Sequence, residues 1–243
     1  MAMGPFLDKW TVGPHGELEE VDERLLGVVG EIPMRVGTFP RRMTIIGLSG
    51  GRTAIWSAIA LREPEMARIE TLGNPAVMIV PGPAHRRDLR MWKGRYPRLK
   101  VLCPPGARDQ VAEVVPVDAT DGAVLEDPTV AFEVVPGTGG QEAALRVRRP
   151  AGVTLVVNDV LSFVRRPHGL AAWVTTRLFG FGFDRPRTSS VVARSLIKDP
   201  AAFASAVRAW AAIPDLIRLI MSHGDIVENQ ARGALERAAR DWA

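Results

Sequence analysis

Histidine is scarce in this chain, four residues in all, so where each one falls carries information. His85 comes shortly after the apolar run Val77 to Val80, across Pro81-Gly82-Pro83, and Asp88 stands three positions further on. His223 follows the apolar run Leu216 to Met221, within Ser222-His223-Gly224-Asp225. A third apolar run, Thr154 to Val157, passes directly into Asn158-Asp159. Imidazoles and carboxylates are the donors that hold first-row metal ions. Strand ends are where ligands gather in α/β sheets. Each residue also has an ordinary structural use: a histidine bonded to a nearby carbonyl, Asp159 capping a turn, Asp225 meeting local backbone amides. The common placement of all three groups, each just past a buried-looking run, favours convergence on one site.

The elements that must bring them together can be read in outline. Met43 to Leu48 and Thr53 to Ile59 flank Gly50-Gly51 and predict a β-hairpin. Glu63 to Leu72 has helical spacing and stops at Gly73, a C-terminal signal. Ala76 to Val80 reads as a buried strand, Ala84 leads into a helix through Trp92, and Leu99 to Leu102 is another strand. Leu25 to Val29 is the one β-like stretch in an otherwise polar, Gly- and Pro-rich start. From about residue 114 the period shortens, with strands expected at Ala131 to Val135, Ala143 to Val147 and Thr154 to Val157. A helix over Ala201 to Ala212 follows Asp199-Pro200, an N-cap and a favoured first residue. Leu216 to Met221 is the last strand, and Gln230 to Trp242 an amphipathic helix. Helices at both ends with strands between predict a layered α/β domain over residues 1–243, with no topology selected.

Composition narrows the classes. At 243 residues, 47% hydrophobic and 24% charged, the chain can bury a full core without staples. Cys103 is the single cysteine, so no internal disulfide and no Cys/His zinc cluster is available, and it reads as core. No run approaches the roughly 18 apolar residues of a membrane span, and the first residues lack a signal-peptide pattern; the expected compartment is the cytoplasm. The net charge of +4 is small for this length, and its basic residues are interleaved with acidic ones, unlike the one-sided patch of a nucleic-acid binder. Ile46 to Arg52 lacks the GxxxxGK[ST] pattern of a phosphate loop. His15 and His168 sit in loops without evident partners. The apolar, aromatic, Gly-containing stretch 168–183 is expected to pack on the core or to form a homo-oligomer interface, ahead of a lid or a membrane-surface contact.

In order and spacing these stretches resemble the metallo-β-lactamase superfamily over nearly the whole chain. RRMTIIGLSGGRTAIWSAIAL is similar to its opening hairpin, and NPAVMIVPGPAHRRDLRMW to its metal loop. VVPGTGGQEAAL, TLVVNDVLSF and LIRLIMSHGDIV are similar to its later ligand strands. Trp92 with Tyr96-Pro97 looks closest to the DUF4336-type branch. The resemblance implies an α/β, αββα four-layer sandwich. It also implies a depleted ligand set. The HxHxDH loop matches Pro83, His85, Arg87 and Asp88; the later glycine-rich loop has Thr138 in place of histidine; the bridging aspartate matches Asp159 and the last histidine His223. Two readings stay open. One is a single-metal hydrolase of a small-molecule substrate, with zinc, manganese or iron held by His85, Asp88, Asp159 and His223, and Asp159 orienting or deprotonating water. The other is a metal-free binding module in which the Arg87 guanidinium pairs with Asp159 or Asp88, takes the metal's electrostatic place and accepts an anion.

Overall fold

The computed structural model describes residues 6–34, 37–165, 177 and 180–242. Most of the stretch 168–183 therefore lies outside the described residues, as does His168.

Two mixed sheets stack face to face. The first orders its strands β1 (Glu19–Asp22), β2 (Leu25–Met34), β3 (Gly37–Leu48), β4 (Arg52–Trp56), β5 (Asn74–Ile79) and β6 (Lys100–Leu102). It is antiparallel from β1 to β4 and parallel from β4 to β6. The second runs β11 (Val227–Glu228), β10 (Leu216–Met221), β9 (Gly152–Val157), β8 (Ala143–Arg149) and β7 (Val130–Val134), with β9 and β10 parallel.

Period-two alternation divides the side chains between layers. In β3, Met43 and Ile45 face the outer helices, while Ile46 and Leu48 enter the space between the sheets. That inner layer joins Leu25, Trp56, Val77 and Ile79 to Val147, Val156 and Ile220 of the second sheet. Outside the first sheet lie α1 (Glu63–Leu72), α2 (Leu89–Arg95) and α3 (Arg108–Ala112), which bury Met66, Ile69, Leu89, Trp92 and Val111 against Ile55 and Met78. Outside the second lie α5 (Pro200–Ala211) and α6 (Ala231–Arg240), burying Phe203, Val207, Leu235 and Ala238 against Leu155 and Leu219; a short α4 (Ser190–Ser195) precedes them. Each large apolar side chain taken out of water contributes about 1.5–3 kcal/mol. The expected αββα sandwich is present.

Local signals explain most elements. Gly50 and Gly51 adopt positive φ, 69° and 67°, at the tip of the β3–β4 hairpin. Asp199 caps α5 by accepting from the Ala202 amide, 3.0 Å, with Pro200 behind it. Two expectations were too short or too long. β2 and β3 pair from Leu25↔Ile46 to Met34↔Gly37, well beyond Leu25 to Val29. Their Gly, Pro and Arg residues conceal the period. β4 stops at Trp56 instead of Ile59 because Ser57 turns the chain at φ 56°. No helix among the described residues is long and apolar enough to cross a membrane.

Candidate metal centre

The parallel pairs place the site. β9 and β10 run side by side with Val157 opposite Met221, so Asp159 and His223 emerge from neighbouring carboxyl ends. β4 and β5 pair with Trp56 opposite Ile79, so Ser57 stands beside the loop that carries His85. The sandwich brings these edges together. His85 Nε2 lies 3.3 Å from Asp159 Oδ1, and His223 Nε2 lies 3.0 Å from the same oxygen. The imidazole centroids are 5.3 Å apart. Donor atoms of His85, Asp159 and His223 all fall within 4.8 Å of one another, the one such group among the described residues.

Each ring is fixed through its other nitrogen. His223 Nδ1 donates to the Pro40 carbonyl, 2.7 Å, and His85 Nδ1 shares a proton with Ser57 Oγ at 2.7 Å. Such outward bonds set the ring orientation and the tautomer of a metal-binding histidine. The His85 side chain is 2% exposed, against 19% for Asp159 and 20% for His223, so the open side of the group faces solvent past the latter two.

Charge follows from these contacts. Burial pushes His85 down to about 4, against the pull of the Asp159 carboxylate. His223 is also penalised by burial, but its hydrogen bond to Asp159 and that group's charge prevail and raise it above the ordinary value. Burial alone would raise Asp159; the two imidazoles outweigh it and hold the carboxyl far below the usual range.

Of the four ligand candidates read from sequence, three meet and Asp88 does not join them. Its carboxylate binds the Arg41 guanidinium at 2.8 Å, both groups buried. Arg41 also donates to Ser57 Oγ (3.3 Å) and to the Ala58 carbonyl. The guanidinium paired with Asp88 is thus that of Arg41, a residue sequence reading did not single out, and not that of Arg87. Arg87 forms no ion pair among the described residues; it lines a cavity of about 130 Å³ with Arg41, His15 and Ile59, which none of the three convergent residues lines. Thr138 gives its hydroxyl to the Val135 carbonyl, 2.7 Å, within its own turn. Asp225 pairs with Arg165 and is not among the convergent donors. Cys103 is buried, and that burial pushes its thiol up to about 11, which fits a core residue.

Glu142 was also missed. It is wholly buried just before β8. The Asn158 amide donates to both its oxygens, 3.1 Å each, and the Asp159 backbone N–H donates to one of them, 3.2 Å. Burial, then the Asp159 charge, push it well above the ordinary value. A lone carboxylate after Gly139-Gly140-Gln141 and before an apolar run was the available signal.

The site and sandwich define a class before any comparison: an αββα protein with histidine and aspartate donors gathered at one edge of the paired sheets. Solved structures place it more closely. The metallo-β-lactamase FIM-1 of Pseudomonas aeruginosa, in its mono-zinc form, superposes with a TM-score of 0.63 at 12% identity, over 95% of this chain and 96% of that one. The metallo-β-lactamase DIM-1, in a crystal exposed to ceftazidime, gives 0.64 at 10% identity over 96% and 100%. A metallo-β-lactamase from Erythrobacter litoralis, with β-mercaptoethanol in its active site, gives 0.62 at 13% identity over 92% and 96%. The fold is that of the metallo-β-lactamases. No protein-family model and no curated protein matches the chain.

Proposed function

We propose that this chain is a metal-dependent hydrolase working with one divalent ion, held by His85, Asp159 and His223. One observation carries the reading: donor atoms of His85, Asp159 and His223 converge within 4.8 Å of one another at one edge of the paired sheets. In the metal-free protein a proton joins His223 Nε2 to the Asp159 oxygen 3.0 Å away, while Nδ1–H goes to Pro40; a cation would displace that proton. The Asp159 oxygen lies 3.0 and 3.3 Å from the two ring nitrogens, and donors about 2 Å from a tetrahedral ion lie about 3.3 Å from one another. Two imidazoles and a carboxylate suit zinc, manganese or iron.

A bound ion supplies a Lewis acid and a water acidified toward neutral pH. The chain's own residues do the rest. Ser57 and the Pro40 carbonyl hold the two rings. Asp159, held far below the usual carboxyl range, is a poor proton store, so its part is to accept a hydrogen bond and orient the nucleophile. A second metal has little to bind: Pro83 offers no side-chain donor, the Thr138 hydroxyl is committed, and Asp88 is neutralised by Arg41. The reading agrees with a small-molecule substrate, a cytoplasmic setting and the DUF4336-type branch.

The rival reading, a metal-free binding module, draws on that same Arg41–Asp88 pair, which puts a fixed cation beside the imidazoles. Elemental analysis of protein prepared without chelator separates the two. One ion per chain is expected, lost in His223→Ala and in Asp159→Asn. No uptake after incubation with zinc, manganese and iron in turn would leave only the binding module.

A further inference from the structure

We infer that Glu142 is the positioning residue for Asp159, tying the His85 loop to the end of β9 so that the two donors meet. The inference deepens the metal-site reading above, but part of its test stands without a metal.

The geometry is one buried carboxyl receiving three hydrogen bonds from the segment it positions. Asn158 Nδ2 reaches both oxygens at 3.1 Å, and the Asp159 N–H reaches one at 3.2 Å. On its other side the carboxyl lies against the backbone of the His85 loop. A Cβ built on Gly82 would stand 1.8 Å from Glu142 Oε1, so only glycine there leaves room for the acid. The main chain supports the same junction: the Ala143 amide donates to the Pro81 carbonyl, 2.8 Å, and the Val135 amide to the Glu142 carbonyl, 2.8 Å. Glu142 therefore touches both segments whose approach sets the distance from His85 to Asp159. It lies outside the donor group itself, so its action passes through Asp159.

In Glu142→Gln, an oxygen in the place of Glu142 Oε2 still accepts from the Asp159 N–H and from Asn158 Nδ2, so two of the three hydrogen bonds are kept without a charge. Glu142→Ala keeps none of them, and Gly82→Ala displaces the carboxyl while leaving Glu142 in the chain.

The experiment compares the wild type with Glu142→Gln, Glu142→Ala and Gly82→Ala in two measurements. In the first, metal affinity is read by competition with a chromophoric chelator. Loss of a group that orients a ligand commonly weakens binding about 10- to 100-fold. A loss of at least about tenfold is expected for both alanine variants, with Glu142→Gln close to wild type. In the second, ¹⁵N-histidine spectra of the metal-free proteins are compared. The His85 and His223 Nε2 signals should move in both alanine variants and hold in Glu142→Gln. Folding is checked by circular dichroism, and if Glu142→Ala does not fold, Gly82→Ala and Glu142→Gln decide. Wild-type affinity and unshifted ring signals in a folded alanine variant would overturn the inference. If the wild type takes up no metal, the hydrolase reading fails, and the ring signals still decide the role of Glu142.

Discussion

At the scale of single residues, the three convergent donors differ in what acid does to them. An unfolded chain protonates His85 near 6.5, whereas the folded protein resists until about 4. Between those values the unfolded state binds more protons, so the contribution of His85 to stability falls as pH falls. Asp159, held low, adds a loss in the same direction at more acid pH. His223 has the opposite sign: its folded value is raised, so its contribution is full below 6.5 and is lost as pH climbs through the raised value. For the metal-free protein, the urea midpoint should drop between pH 6.5 and about 4. His85→Asn, whose amide can keep the bond to Ser57, should flatten that drop; equal slopes for the two proteins would show that His85 is not held neutral. His85, Asp159 and His223 were legible in the sequence because each follows an apolar run. Arg41 and Glu142 were not. Arg41 lies in a long strand beside a second arginine, and nothing in the order of residues shows which one turns inward to Asp88.

The elements carry the donors by backbone contacts that the sequence marks only with glycine. Just after β10, the Phe163 amide donates to the His223 carbonyl, 3.0 Å, and the Asp225 amide to the Phe163 carbonyl, 2.8 Å. Gly224 between them has φ 114°, and a Cβ there would stand 1.9 Å from the Phe163 carbonyl oxygen. Gly224→Ala meets both a forbidden backbone angle and immovable backbone atoms. A sparsely populated angle alone is worth about 1–3 kcal/mol, so a destabilisation of at least about 1 kcal/mol is expected, with weakened metal uptake through His223. Gly94 in α2 is the control: a Cβ there meets nothing within 4 Å. Gly94→Ala should be stabilising by about 0.5–1 kcal/mol. Chemical denaturation checks both, and a Gly224→Ala protein as stable as the wild type would mean the loop is free to move off Phe163. The regular elements with a clean period, such as α1 and the β3–β4 hairpin, were visible in advance. The length of β2 and β3 was not, because ten successive pairings reach through Pro33, Pro40 and paired arginines, residues that disfavour a strand until a partner is present.

At the scale of the whole molecule, the site exists because two sheets stay in register: His85 belongs to the first, Asp159 and His223 to the second. The sequence pattern announced layers but not their pairing, since topology depends on contacts between distant strands. One such contact is Trp56, wholly buried in the inner layer, whose Nε1 donates to Ser222 Oγ across the sheets at 3.0 Å. That bond links the end of β4, beside Ser57, to the residue before His223. Trp56→Phe removes the donor, leaves the buried hydroxyl without it and loosens the inner layer. A cost of about 1–3 kcal/mol follows from the unsatisfied group, and metal affinity should fall as His85 and His223 drift apart. Leu235 offers the contrast. It is equally buried, but on the inward face of α6 in the outer layer, and Leu235→Ala should cost about 2–5 kcal/mol through its cavity while leaving metal affinity unchanged. Denaturation curves and chelator competition on both proteins separate sheet spacing from general stability. If Leu235→Ala weakens the metal as much as Trp56→Phe does, the donors depend on overall rigidity, and the inner layer has no special hold on them.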